Sequence, residues 1–149
     1  MNKLPGTITR IQQSGAILLV DVVVDGQGFS ALLIESASPP EWLLTGHSVD
    51  LVFKETEVSL AKNLSGIISL RNRMKCKVLH IDRGELLSII SLQFLEHTVT
   101  SAITTRAVDS LQLTIGDDVE ALVKANEVSL LKKQEGRPEK GDRKLSINN

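Results

Sequence analysis

Residues 46–60, GHSVDLVFKETEVSL, recur seventy positions later as residues 116–130, GDDVEALVKANEVSL. Gly, Val, Lys, Glu, Val, Ser and Leu fall on the same offsets in both copies. Residues 2–8, NKLPGTI, match residues 72–78, NRMKCKV, at the same spacing. Between them, Ser30-Ala31-Leu32 aligns with Ser101-Ala102-Ile103 at a spacing of 71, a one-residue change assigned to the neighbourhood of Pro39-Pro40. Three matches in one order imply a duplication, so the 149 residues hold two small modules rather than one average domain.

Each copy reads as a set of short strands. Ala16 to Val24 is rich in β-branched residues and ends at Asp25-Gly26-Gln27-Gly28, a strong hairpin signal. Phe29 to Ile34 returns as the partner strand. Pro39-Pro40 interrupts regular structure, Glu41-Trp42-Leu43-Leu44 suits a short helical turn, and Val49 to Phe53 and Glu57 to Ala61 give two further strands. In the second copy Val119, Ala121 and Val123 alternate with Glu120, Leu122 and Lys124, the period of two that turns one face inward. Five or so strands in about 65 residues fit a small OB-like β-barrel. The expected architecture is therefore all-β, two tandem OB-like barrels at 1–62 and 63–131, the second including a linker strand at 63–72. Residues 132–149, with two Gly, one Pro and nine charges, read as a disordered charged tail.

Composition removes several functions. The formal net charge is -1, divided into about -4 over the first 131 residues and +3 over the tail, so the body attracts no polyanion. One Trp, three Phe and no Tyr leave few surfaces on which bases could stack. The three histidines, His47, His80 and His97, have no nucleophile or paired carboxylate at a useful spacing, and His80 and His97 are read as strand and turn residues. No Walker A or Gly-x-Gly-x-x-Gly motif occurs, so a binding protein is expected, not an enzyme. The lone Cys76 reads as a small buried hydrophobe, and no cluster of metal-ligating residues is seen. No apolar run reaches the roughly 20 residues that span a bilayer, and the N-terminus has no secretory signal, so a cytoplasmic location is expected.

The join between the copies carries the most specific pattern: Ser69-Leu70-Arg71-Asn72, then Ala102-Ile103-Thr104, then Val123-Lys124-Ala125. This resembles the molbindin (Mop/TOBE) family, whose motifs run Ser-Ala-Arg-Asn, Ile-Thr-x-x-Ser and Lys-Ala. The resemblance covers residues 1 to about 131 as a tandem di-Mop arrangement, close in the second module and loose in the first. It implies binding of molybdate or tungstate as the ligand, with no organic cofactor, at interfaces between modules of a homo-oligomer, a trimer above all. The implied oxyanion-binding residues are Ser69, Arg71, Asn72, Thr104, Lys124 and Ala125. Leu70 replaces the motif's Ala, and Ala107 stands where the family has Ser. These residue types suit a tetrahedral dianion, since Arg71 offers a fork of N–H donors, Lys124 a point charge, and Ser69 and Thr104 hydroxyls.

In the first module, Lys54 keeps its place but Glu55 follows it, Leu33 is aligned with the Thr, and only Ser36 matches a motif Ser. That module is expected to complete an assembly and lend Lys54. The resemblance implies storage, buffering or homeostasis of the oxyanion in the cytoplasm. A ligand-sensing module acting through a transporter or transcriptional partner is the alternative, and a nucleic-acid-binding barrel is disfavoured by charge and aromatics.

Overall fold

A computed structural model describes residues 1–34 and 38–133. The chain builds β1 (Asn2–Ser14), β2 (Ile17–Val24), β3 (Gln27–Ile34), β4 (Ser48–Phe53) and β5 (Ser59–Ala61). The series then repeats as β6 (Asn72–Arg83), β7 (Leu87–Phe94), β8 (His97–Thr104), β9 (Asp118–Val123) and β10 (Ser129–Lys132). One helix, α1 (Thr105–Leu111), lies between β8 and β9, and 3-10 turns at Glu55–Glu57 and Ala125–Glu127 follow β4 and β9.

The strands form because their apolar residues alternate. Leu18, Val20, Val22 and Val24 of β2 are buried, as are Ile90, Leu92 and Phe94 of β7, while intervening side chains face outward. The long strands β1 and β6 each pair with one neighbour over their first half and another over their second. Bulges at Ile8/Arg10 and Val78/His80 mark the change of partner and curl each sheet. The expected pair of small, OB-like all-β modules is present.

The two sheets do not follow the boundaries read from the repeat. One has the order β10-β4-β1-β2-β3 and the other β5-β9-β6-β7-β8. Each module's last strand therefore completes the other module's sheet: Leu130 pairs with Leu51, and Leu60 with Ala121. Lys132, assigned to the tail, ends β10, and Lys133 sets its ammonium on Asp50. Tail residues from 134 onward lie outside the described residues. The linker expected as a strand at 63–72 is irregular up to Arg71, and only Asn72 enters a strand.

The spacing of 71 assigned to Ser30-Ala31-Leu32 is also corrected. Both hairpins close with two residues, Val24 pairing with Gln27 and Phe94 with His97, so the spacing stays at 70. Asp25 and Gly26 both take positive φ (48° and 84°), as such a turn requires. Ala31 then corresponds to Ser101, both buried, and Ile34 rather than Leu33 stands at the position of Thr104. A slip of one residue would turn every side chain of the strand to the other face, which the ladder does not permit. Residues 41–44 form the expected turn, with the Leu43 amide donating to the Pro40 carbonyl at 3.1 Å.

The core runs through both modules. Phe29 and Phe94 meet edge to face with ring centroids 5.9 Å apart, and one cluster joins Leu4, Val22 and Leu51 to Met74, Leu92 and Ala121. Two buried asparagines clamp the modules across a pseudo-twofold axis. Asn72 accepts from the Ser30 amide at 2.8 Å and donates to its carbonyl at 2.9 Å. Asn2 does the same with Thr100, at 2.8 Å in both directions. The repeat thus encodes reciprocal halves of one packed unit.

Candidate oxyanion site

Asn72 opens β6 opposite Val123, the last residue of β9. Arg71 and Lys124 are each one step beyond that pair, so the register sets them together at one end of the ladder. Both are exposed. The Arg71 guanidinium donates to the Ile68 carbonyl at 2.8 Å. Among the described residues neither cation has a carboxylate partner. The Lys124 backbone is extended, and its carbonyl accepts from the Glu127 amide at 2.9 Å, starting the 3-10 turn. Ala125 adds only a methyl beside Lys124, and Ser69 is exposed two residues before Arg71. An anion placed between two such cations is attracted by both.

Asn72 serves differently from its neighbours. It is fully buried, and both its amide oxygen and its nitrogen are on Ser30. Its position fixes where β6 begins and hence where Arg71 emerges.

The matching corner of the first module carries its own anion. Phe53 pairs with Asn2, so Lys54 lies beside Met1, and the Met1 amine is paired with the Glu55 carboxylate. That hydrogen bond draws the Glu55 pKa below the ordinary carboxylate value. The two 3-10 turns come near each other, and the Glu127 carboxylate raises the pKa of Glu57.

Thr104 and Ala107 belong to a second location. Thr104 is the N-cap of α1, its Oγ1 accepting from the Ala107 amide at 3.1 Å, which leaves the hydroxyl proton free to donate. Thr105 behind it is buried, donating to the Gly84 carbonyl at 2.8 Å and lying 2.8 Å from Ser88 Oγ. Thr104 pairs with Leu87, and the next residue, Ser88, pairs with Arg83 at the far end of β6 from Arg71. One chain therefore brings Arg71, Asn72, Lys124 and Ala125 together but does not add Thr104 to them. Ser36 lies outside the described residues.

Sequence reading missed α1 and the lysine that holds it. The Lys62 ammonium, just past β5, donates to the carbonyls of Leu111 and Gln112 at 3.1 and 2.9 Å and to Asp117 Oδ2 at 2.9 Å. Lys62, followed by the Thr114 amide, holds the Asp117 pKa down at about 2. The one visible signal was that Asp117 stands where the first copy has His47. Cys76 is buried as expected, and burial pushes its thiol up to about 12. Among the described residues no group of three His, Cys, Asp or Glu is placed to hold a metal ion.

The TOBE domain family matches residues 68–130. The solved structure of the cytoplasmic molybdate-binding protein ModG, with molybdate bound, superposes with a TM-score of 0.83 at 27% identity, covering 89% of this chain and 96% of that one. A molybdate-binding protein from Sporomusa ovata is 37% identical and covers 45% of this chain and 100% of that one, with a TM-score of 0.44. The molybdenum import ATP-binding proteins ModC of Brucella abortus and Brucella suis are each 38% identical over 78 residues. The chain spans 22% of the length of those curated relatives. Residues 68–130 thus carry a TOBE domain, and the doubled barrel as a whole is similar to that of a molybdate-binding protein.

Proposed function

We propose that the chain is a binding protein, not an enzyme, and that it takes up molybdate or tungstate in the cytoplasm for storage or buffering. The observation that carries this reading is the pair of exposed cations, Arg71 and Lys124, at one corner of the second module, which have no carboxylate partner among the described residues. The likeness to a molybdate-binding protein over nearly the whole chain supports it.

The residue types suggest how selectivity would arise. Arg71 supplies forked N–H donors, Lys124 a compact positive charge, and Ser69 and Thr104 hydroxyl donors. A shell made of donors alone favours a fully deprotonated tetrahedral dianion over protonated phosphate, leaving size to separate molybdate from sulfate. Asn72 positions Arg71 through its clamp on Ser30, and Ala125 leaves the corner open where Glu55 fills the first module's. Ala107 contributes no hydroxyl, so the shell has one donor fewer than the family pattern.

Thr104 lies apart from Arg71 within one chain, so the complete site is proposed to form between copies, in a homo-oligomer and specifically a trimer. Exposed apolar side chains support association: Ile34 is 78% exposed, Leu86 82% and Leu87 52%. Lys54 is proposed to contribute from the first module. In this picture residues 1–62 and 63–131 are the repeat units, completed by exchange of their last strands. A second reading, a sensing module that acts through a partner, is favoured by the match to part of a transporter ATP-binding protein.

Thermal unfolding with molybdate, sulfate or a short oligonucleotide tests the reading. Ligand at a hundredfold excess over its Kd adds about 2.7 kcal/mol, a rise of roughly 5–11 °C for a chain of this size. A rise with molybdate or tungstate is expected. No rise with either, beside a clear rise with oligonucleotide, would overturn it.

A further inference from the structure

The candidate donors fall into two groups, Ser69 and Arg71 on the irregular linker and Thr104 on the cap of α1. Something must fix one group relative to the other. The linker 63–71 makes few internal bonds, chiefly that of Arg71 to Ile68, so its ends set its course. Its downstream end is fixed by the buried Asn72 clamp. Its upstream end is fixed by Lys62.

Lys62 is well placed to hold that end. All three ammonium protons have acceptors: the Leu111 carbonyl, the Gln112 carbonyl and Asp117 Oδ2. The two carbonyls are at the C-terminal end of α1, where unpaired acceptors and the helix dipole favour a cation. Gln112 sits there in the left-handed region, at φ 50° and ψ 50°, a conformation that is unfavourable for a non-glycine residue. The opposite end of α1 is tied through Thr105 to Gly84 and Ser88. Asp117, just before β9, extends the tie to β6, because its carboxylate accepts from the Thr114 amide at 2.9 Å and its carbonyl accepts from the Val78 amide of β6 at 2.9 Å. The first module lacks the lysine–aspartate pair in its sequence: Lys132 corresponds to Lys62, but His47 stands at the position of Asp117. The clamp belongs to the module that carries the candidate donors.

We propose that Lys62 is a positioning residue for oxyanion binding, locking the Arg71-bearing linker to the helix capped by Thr104. This rests on the oxyanion reading above. The test is calorimetric titration of the full-length chain with sodium molybdate, comparing the unaltered protein with Lys62→Met and Lys62→Arg, alongside the unliganded melting temperature. Lys62→Met is expected to raise Kd about tenfold, the scale for loss of a contact that supports a ligating group, with stoichiometry unchanged. Lys62→Arg, which keeps the charge and several donors, is expected to recover most of the affinity. Should Lys62→Met fail to fold, Asp117→Asn is expected to weaken binding in the same direction. Unchanged affinity in Lys62→Met overturns the proposal. So does an equal loss in Met and Arg variants that tracks their melting temperatures, which marks a purely structural lysine. If the unaltered chain gives no heat with molybdate, the oxyanion reading itself fails, and that outcome is separate from the variants' behaviour.

Discussion

Asn72→Ala removes one of the two clamps between the modules. Asn72 is fully buried and holds both the amide and the carbonyl of Ser30, at 2.8 and 2.9 Å. Truncation leaves one backbone donor and one acceptor without partners, each costing about 1–3 kcal/mol when water cannot replace the bond. Ser30 is only half-buried, so some water reaches it, and the lower part of the combined range applies: about 3 kcal/mol. For a chain of this length that lowers the melting temperature by roughly 6–12 °C. Thermal unfolding followed by calorimetry and by far-ultraviolet circular dichroism gives the value. Asn2→Ala, which breaks the mirror-image bonds to Thr100, is expected to cost a similar amount. A loss under about 0.5 kcal/mol, within the range of an ordinary surface change, would refute the clamp. An unchanged melting temperature together with lost molybdate binding would refute it in a different way, by making Asn72 a ligand.

Two further outcomes follow from local geometry. A methyl at Gly6 would lie 2.5 Å from Val22 Cγ1 and 2.9 Å from the Val23 carbonyl, so Gly6→Ala is expected to destabilise by about 1–3 kcal/mol in denaturant titration. The corresponding Cys76 already holds a side chain, and Cys76→Ala serves as the milder comparison. Asp117 ionises at about 2 in the folded protein, below its usual 3.8, so it favours folding above pH 4. That contribution falls away as pH drops from about 4 to 2, and the melting-temperature gap between the unaltered chain and Asp117→Asn is expected to close over that interval. A gap independent of pH would count against the Lys62–Asp117 contact.

Much of the frame was legible because alternation and turn chemistry are local. The Asp25-Gly26 turn, the β2 and β9 patterns and the repeat at a spacing of 70 all lead to the observed strands. The exchange of β5 and β10 was not legible. Leu60 and Leu130 suit either sheet equally, and only the packing of whole modules decides between them. The spacing error at Ser30-Ala31 arose because small residues coincide by chance one position out, whereas ladder register cannot slip. Arg71 and Lys124 were legible as cations within a motif, and antiparallel pairing of Asn72 with Val123 explains why they share one end of the ladder. Asn72 was legible as a motif residue, but its clamping of Ser30 depends on a contact 42 residues away in sequence. The helix α1 escaped notice because Thr105–Leu111 is short, and much of its hold comes from outside, from Lys62, Gly84 and Ser88.

Whether Arg71 anchors a tetrahedral oxyanion at the corner it shares with Lys124 is decided most directly by calorimetric titration with sodium molybdate. The unaltered chain is compared with Arg71→Ala at matched ionic strength, with sulfate as the control. Saturable heat with the unaltered chain, little with sulfate, and none with a folded Arg71→Ala is the predicted result. Equal binding by both proteins, or no saturable heat from the unaltered chain, would contradict it.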